Sequence, residues 1–371
     1  MRIGIDARNL LSRRTGIGRS VHQIGKQFCA QGHEVTFFWP EKPQKIPAGL
    51  EAAEHHFSHN RGPLSRIAWS QTQLTDQINA NQPDVFWGPS HRLPARLGPS
   101  IPCVVTIHDM VWAKYPQTMR WSGLLADRFF APHAMRRADT IIAVSQSTKH
   151  DIVERYPHHA SKTHVIYPGV SDLQEDKYGT AEAVFPGPAG AFALFVGTLE
   201  PRKNLSGLLH AMAMLKNAGQ LTGQLCIAGG QGWRHANLGA MIRDSKLQDH
   251  VTATGYVDDA VLDRLYRQAR FLIMPSLYEG FGIPIIEANH YGIPVLTSNI
   301  SSMPEAAGNA GLLVDPLDPD DIAKKWQSLW NDERLYAELA AKARPNAARF
   351  SWQESAARME TLFEQLIADT R

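Results

Sequence analysis

Ser276-Leu-Tyr-Glu-Gly-Phe-Gly-Ile-Pro-Ile-Ile-Glu287 is the stretch on which the reading of this chain turns. It sets two carboxylates, Glu279 and Glu287, on either side of a turn containing Gly280, Gly282 and Pro284. The apolar run before it, Phe271-Leu-Ile-Met-Pro275, has the unbroken character of a parallel strand buried on both faces. The segment after it, 284–291, reads as a helix with proline in the first turn, where a missing N–H costs little. Glu279 therefore falls at the carboxyl end of a strand, and Glu287 about one turn into a helix. Backbone N–H groups of Gly-Phe-Gly beside a helix N-terminus suit an anion. The alternative is a plain strand-to-helix turn with both glutamates facing water.

Working outward, the chain has 371 residues, a length that suits two domains of ordinary size. Its 43% apolar and 20% charged residues support a substantial core and argue against disorder. Cys29, Cys103 and Cys226 are widely separated in apolar segments, which is neither a disulfide framework nor a zinc pattern and fits a reducing compartment. The first residues already read as a strand, which leaves no room for a signal peptide, and no apolar run reaches the length of a membrane span. A cytoplasmic protein is expected, either free or resting on a membrane surface. The net charge of +2 is uneven: residues 1–180 carry a cationic excess and most of the sixteen histidines, and the remainder is net acidic. Anionic substrates or anionic lipid would suit the cationic part; ordinary surface variation is the alternative.

Strand patterns at 2–6, 35–39, 85–88, 104–108, 140–144 and 164–168 alternate with helical patterns such as 20–31 and 124–137. A second series follows at 191–197, 224–228, 251–255, 271–274, 295–297 and 312–314. Alternation of this kind predicts parallel sheets covered by helices on both faces. Residues 171–190 are polar and then rich in Pro and Gly, and read as a linker. The expected organisation is a domain over 1–170, the linker, a second domain over 191–350, and a C-terminal helix over 351–371 that packs back toward the first domain. Ser351 is a candidate N-cap of that helix, with Glu354 completing a capping box.

Ligands of such sheets bind beyond the carboxyl ends of the strands, and that rule selects the residues of interest. Thr15-Gly-Ile-Gly-Arg19 follows the first strand and opens a helix; Gly16 and Gly18 permit close approach of a phosphate and Arg19 adds charge. The third glycine of a dinucleotide fingerprint is absent, so a plain turn is equally compatible. Gly197-Thr-Leu-Glu-Pro-Arg-Lys-Asn204 places Arg202 and Lys203 just before a helix, an arrangement suited to a diphosphate, with a solvated basic turn as alternative. His108 ends a strand beside Asp109 and can meet a substrate hydroxyl or transfer a proton; a purely structural histidine is the alternative. The carboxylates of Asp318-Pro-Asp-Asp321 read as a helix cap, and His55-His56-Phe-Ser-His59 lacks partners at metal-ligand spacing, so no metal is expected. No Gly-x-Ser-x-Gly elbow occurs, which leaves a serine hydrolase unsupported.

These residues together resemble the retaining glycosyltransferases of family 4, over essentially the whole chain. Glu279 and Glu287 match the family's Glu-x7-Glu motif with its Gly-Phe-Gly interior and following Pro. Glu200-Pro-Arg-Lys-Asn204 matches its diphosphate segment, Gly16-Ile-Gly18 its N-terminal glycine loop, and His108-Asp109 its strand-end histidine. The resemblance implies a GT-B fold of α/β class: two Rossmann-like, doubly wound parallel-sheet domains facing across a cleft that closes on the donor. It implies that Glu279 holds donor-sugar hydroxyls, Glu287 binds the nucleotide ribose, and backbone from Phe281 through Gly282 to Ile283 meets sugar and phosphate. Arg202 and Lys203 would neutralise the leaving diphosphate, and Gly255, Tyr256 and Val257 would lie along the base. Gly16, Ile17, Gly18 and Arg19 would meet the phosphates, and His108 the sugar or acceptor. The sequence departs from the family at Thr198, where many members have Arg after the glycine corresponding to Gly197; more of the leaving charge then falls on Arg202.

The implied chemistry is metal-independent hexosyl transfer with retention, without an obligatory enzyme nucleophile or any cofactor beyond the nucleotide-sugar donor. The Glu-Pro-Arg-Lys-Asn form and the Ile5–Arg8 start look most like bacterial mannosyltransferases of O-antigen or exopolysaccharide synthesis. GDP-mannose is then the first donor; GDP-rhamnose, another deoxysugar nucleotide or a UDP-sugar are the alternatives. The acceptor would be a glycan or lipid-linked oligosaccharide at the cytoplasmic membrane face, with no nucleic acid involved. Trp69, Arg61, Arg66 and residues 119–137, including Trp121, Leu124, Leu125, Phe129 and Phe130, are candidates to rest on that surface; an internally packed helix is the alternative. A GT-B phosphorylase or epimerase, or a non-catalytic partner subunit, would share the fold.

Overall fold

The computed structural model describes residues 1–11, 16–171, 173, 190–230, 232 and 238–370. Thr15 and, apart from Ser171, Leu173 and Gly190, the 171–190 linker lie outside the described residues. The chain divides into two compact units: one of Met1–Lys114, Trp121–Gly169 and Ser351–Arg371, the other of Tyr115–Arg120 and Val170–Phe350.

The first unit holds a seven-stranded parallel sheet ordered β3-β2-β1-β4-β5-β6-β7. Its strands are β1 (Arg2–Asp6), β2 (Glu34–Trp39), β3 (Glu54–Phe57), β4 (Val85–Gly88), β5 (Cys103–Ile107), β6 (Thr140–Ala143) and β7 (Thr163–Val165). Burial is nearly complete along β1, β4, β5 and β6, as the unbroken apolar runs require. The strand read at 164–168 is shorter in the structure and ends at Val165.

Strand β3 has no counterpart in the pattern analysis, because Glu-His-His-Phe is not an apolar run. It is an edge strand, paired on one side with β2 from Thr36↔Glu54 to Trp39↔Phe57. His55 belongs to the packing there: its Nδ1 accepts from Trp39 Nε1 at 3.0 Å, its Nε2 lies 3.0 Å from the Leu50 carbonyl, and its ring stacks on Phe37 and Phe57. The C-terminal helix Trp352–Thr370 lays Trp352, Ala356, Met359 and Phe363 into the core of this unit, and Phe363 meets Phe28 of helix Gly16–Ala30 at 5.7 Å. Ser351 receives the Glu354 N–H at 3.5 Å, at the long limit of a cap bond.

The second unit holds a six-stranded parallel sheet ordered β10-β9-β8-β11-β12-β13. Its strands are β8 (Phe192–Val196), β9 (Gln224–Ala228), β10 (Val251–Gly255), β11 (Phe271–Met274), β12 (Val295–Ser298) and β13 (Gly311–Val314). Its core runs from Phe195 and Phe271 to Trp326 and Leu329 of helix Pro319–Asn331. Asp318 caps that helix by accepting the Asp320 N–H, the role read for it from sequence. In both sheets the strand order reverses beside the first strand of the series, between β1 and β4 and between β8 and β11. In sheets of this kind ligands bind beyond the carboxyl ends of the strands at such a reversal.

Candidate functional site

The loops after β8 and β11 carry Arg202, Lys203 and Glu279 of the second unit. After Val196 the chain turns at Gly197, whose φ of +143° favours glycine. A Cβ there would lie 3.2 Å from Lys203 Cε and 3.3 Å from its Nζ, so the glycine also leaves room for the ammonium. A short 3₁₀ turn, Pro201–Lys203, then presents both cations before helix Leu205–Asn217. The loop after β11 is tied to it by the Leu277 N–H, which donates to the Arg202 carbonyl at 2.7 Å.

Glu279 is the meeting point. Arg202 Nη1 donates to its Oε2 at 2.7 Å, Lys203 Nζ lies 2.7 Å from Oε1, and Ser276 Oγ donates to Oε1 at 2.8 Å. Ser301 and Ser302 donate to its backbone carbonyl at 2.6 and 2.9 Å. Arg202 also reaches Glu200 Oε2 at 2.8 Å and the Tyr278 carbonyl at 3.1 Å. Glu279 and Lys203 are each only 6% exposed, so neither the water-facing turn nor the solvated basic turn describes these residues. Burial pushes the Glu279 carboxyl up, but the charges and hydrogen bonds of Arg202 and Lys203 outweigh it and hold the pKa down at about 2. Glu200 and Glu279 thus balance the two cations, which remain held in place beside the carboxyl end of the sheet.

Glu287 lies in helix Ile283–His290, which opens at Gly282 in the left-handed conformation (φ +99°) with proline in its first turn. Its carboxylate is buried, and Tyr266 donates a hydrogen bond to Oε2 at 2.8 Å. The Phe281 side chain faces the core and meets Phe350 edge-on at 5.2 Å, so only backbone from this residue is available for the role implied for it. Gly255 has φ +70° and accepts the Gly229 N–H at 2.8 Å, while Tyr256 after it is 49% exposed. Thr198 is exposed and Val257 half-buried.

In the first unit, helix Gly16–Ala30 opens with Gly16 exposed, Ile17 and Arg19 half-buried and Gly18 buried. His108 follows β5. Its Nε2 lies 2.7 Å from the Pro89 carbonyl, which can only accept, so Nε2 carries the proton. Its backbone N–H donates to His91 Nε2 at 2.8 Å, which requires the other tautomer of His91. Burial, reinforced by His91, lowers the His108 pKa to about 4, and the neutral ring presents Nδ1 as an acceptor. At the β1–β4 reversal, Asp6 accepts from Arg8 Nε at 2.7 Å, and Ser90 donates to Asn9 at 2.8 Å.

The structure thus gathers Arg202, Lys203 and Glu279 into one hydrogen-bonded group, with Gly197 packed against Lys203, and joins Glu287 to Tyr266. His108 and residues 16–19 belong to the other unit. Sequence reasoning gave no individual role to Glu200, Ser276 or Arg8, which it quoted only within longer stretches, and missed Tyr266 and His91. Ser276 stands three residues before Glu279, and Tyr266 lies on the buried stripe of its helix; neither position signals a role until the partner is known. Among the described residues no group of three or more His, Cys, Asp or Glu is placed to hold a metal ion. Trp69 corrects the surface reading: it is 1% exposed, with Nε1 donating to Ser58 Oγ at 2.9 Å. Arg66 is paired with Glu41, and Phe130 lies beneath Arg92 at 5.0 Å, whereas Trp121, Leu125 and Phe129 are exposed.

A parallel sheet with reversed strand order carries paired cations and two buried glutamates near the carboxyl ends of its strands, where ligands of such sheets bind. The chain belongs to glycosyltransferase family 4 of the GT-B fold: residues 14–172 match the family described as Glycosyltransferase Family 4, and residues 186–349 match Glycosyl transferases group 1. It is a glycosyltransferase. It is similar to the O-antigen chain mannosyltransferase B of Escherichia coli, with 30% identity over 304 residues covering 78% of this chain and 74% of that protein. The serotype-specific mannosyltransferase WbdA of Escherichia coli is 31% identical over 230 residues, which cover 59% of this chain and 28% of that protein. In fold it is similar to sucrose-phosphate synthase from Thermosynechococcus elongatus, with a TM-score of 0.75, 21% identity and all of both chains covered.

Proposed function

We propose that the chain transfers a mannosyl residue, with retention and without a metal, from GDP-mannose to a glycan or lipid-linked oligosaccharide of a bacterial surface polysaccharide. The observation that carries this reading is the Arg202–Glu279–Lys203 group. It holds two cations rigidly at the carboxyl end of β8, where a leaving diphosphate needs charge that does not have to reorganise. Glu279 keeps its negative charge and accepts hydroxyls of the donor sugar, Glu287 accepts those of the ribose, and Gly255, Tyr256 and Val257 line the base. In the other unit, the neutral His108 accepts a hydrogen bond from a sugar or acceptor hydroxyl through Nδ1. The names of the two mannosyltransferase relatives support the choice of sugar.

A thermal-shift panel of GDP-, UDP-, dTDP- and ADP-sugars tests the donor. A rise in Tm with GDP-mannose alone is expected; no rise with any of them counts against the whole reading. No helix among the described residues is long and apolar enough to cross a membrane. The acceptor reading is instead supported by helix Trp121–Arg137, whose outer face exposes Trp121, Leu125 and Phe129 beside Arg128 and Arg136. We assign this face to anionic lipid. Flotation with vesicles of anionic lipid should retain the protein, and Leu125→Glu with Phe129→Glu should release it; equal flotation of both proteins refutes the assignment.

A further inference from the structure

Tyr266 is a buried phenol that the proposed mechanism does not use. It lies in helix Asp259–Gln268, which Asp258 caps by accepting the Val261 N–H at 2.8 Å. Val261, Leu262, Leu265 and Tyr266 form the helix's buried stripe, and Tyr266 has no exposed surface. Its ring lies almost flat on Tyr291, with centroids 5.2 Å apart and planes 9° from parallel.

Two hydrogen bonds run in opposite directions across this stack. Tyr266 donates from its helix to Glu287 Oε2 at 2.8 Å, and Tyr291, just beyond the helix that carries Glu287, donates back to Asp263 Oδ1 at 2.6 Å. Asp263 is fixed in turn by Arg267, whose Nε and Nη2 donate to it at 2.9 and 3.1 Å and whose guanidinium lies 5.1 Å over the Tyr291 ring. The two helices are therefore clamped reciprocally, and the Glu287 carboxylate is part of the clamp. A glutamate has three rotatable side-chain bonds, and a carboxylate that must accept two neighbouring hydroxyls works only in one plane. Stacking alone would be served equally by phenylalanine. The Tyr266 hydroxyl adds the bond that sets the carboxylate's plane.

We propose that Tyr266 is a positioning residue of the donor site, orienting Glu287 for the ribose of the nucleotide; this rests on the reading of Glu287 given above. The test is calorimetric titration of the intact chain with the nucleoside diphosphate of the selected donor, GDP first, together with steady-state kinetics. Tyr266→Phe keeps the ring and should raise Kd and donor KM by about five- to twentyfold while kcat stays within about twofold. Tyr291→Phe removes a bond of the same clamp that does not reach Glu287, and should leave Kd within about twofold. In a Glu287→Ala background, Tyr266→Phe should add no further loss. An unchanged Kd in Tyr266→Phe, or an equal loss in Tyr291→Phe, overturns the positioning role while leaving the donor reading intact. An additive loss in the Glu287→Ala background overturns it as well. If Glu287→Ala itself leaves Kd unchanged, both readings fall.

Discussion

Glu279 stays ionised inside the protein because Arg202, Lys203 and Ser276 lie within hydrogen-bonding distance of its two oxygens. Removing either cation leaves a buried charge under-compensated and takes positive charge from the proposed diphosphate position. Arg202→Ala and Lys203→Ala should each lower kcat at least about tenfold, roughly 1.4 kcal/mol of leaving-group stabilisation. Near-wild-type turnover in both would sink the diphosphate assignment. The same carboxylate carries a pH signature. Its pKa is depressed from 4.5 to about 2, so its contribution to stability is full above its unfolded value and lost as pH falls toward about 2. The difference in urea midpoint between wild type and Glu279→Gln should shrink through that window. A constant difference from pH 6 to pH 2 would show that the ion pairs do not supply it.

Elements reach this geometry through close backbone approaches as much as through side chains. Gly229 follows β9, and a Cβ there would lie 1.9 Å from the Gly197 carbonyl oxygen, at the turn that makes room for Lys203. Gly229→Ala must displace the loop after β8, and should cost about 1–3 kcal/mol and weaken donor binding along with stability. Gly219→Ala, where a Cβ meets nothing within 4 Å but φ is +70°, should destabilise through backbone strain alone and spare donor affinity. Equal donor affinities in the two variants would show that the close approach does not govern the site. The edge strand β3 shows the limit of pattern reading at this scale. With a partner on one side only, it can carry Glu54, His55 and His56, and its identity comes from register with β2 rather than from its own apolarity.

At the scale of the molecule, the last segment of the chain completes the first unit. Trp352, Ala356, Met359 and Phe363 join its core after the chain has passed through the other unit over Val170–Phe350. Phe363→Ala removes a fully buried ring against Phe28 and should cost about 3–5 kcal/mol. Hydrogen exchange should show the loss in helix Gly16–Ala30 and strands β1 and β2, with the protection of β8 and β11 unchanged. Uniform loss in both sheets would mean that the units unfold as one.

Much of this was open to reading from residues alone. Apolar runs marked the buried strands, their alternation with helical patterns implied parallel sheets, and strand-end position picked out Glu279, Arg202 and Lys203. Those signals are local: burial on two faces forces an apolar run, and a turn with φ > 0 favours glycine. Partnership is not local. That Glu279 sits between Arg202 and Lys203, that Tyr266 holds Glu287, and that Trp69 is internal depend on strands and helices far apart in the chain being brought together. No periodicity or spacing within one segment encodes those distances. The chemistry available to the protein was therefore legible in its residue types, while the pairing that tunes each charge came from folding.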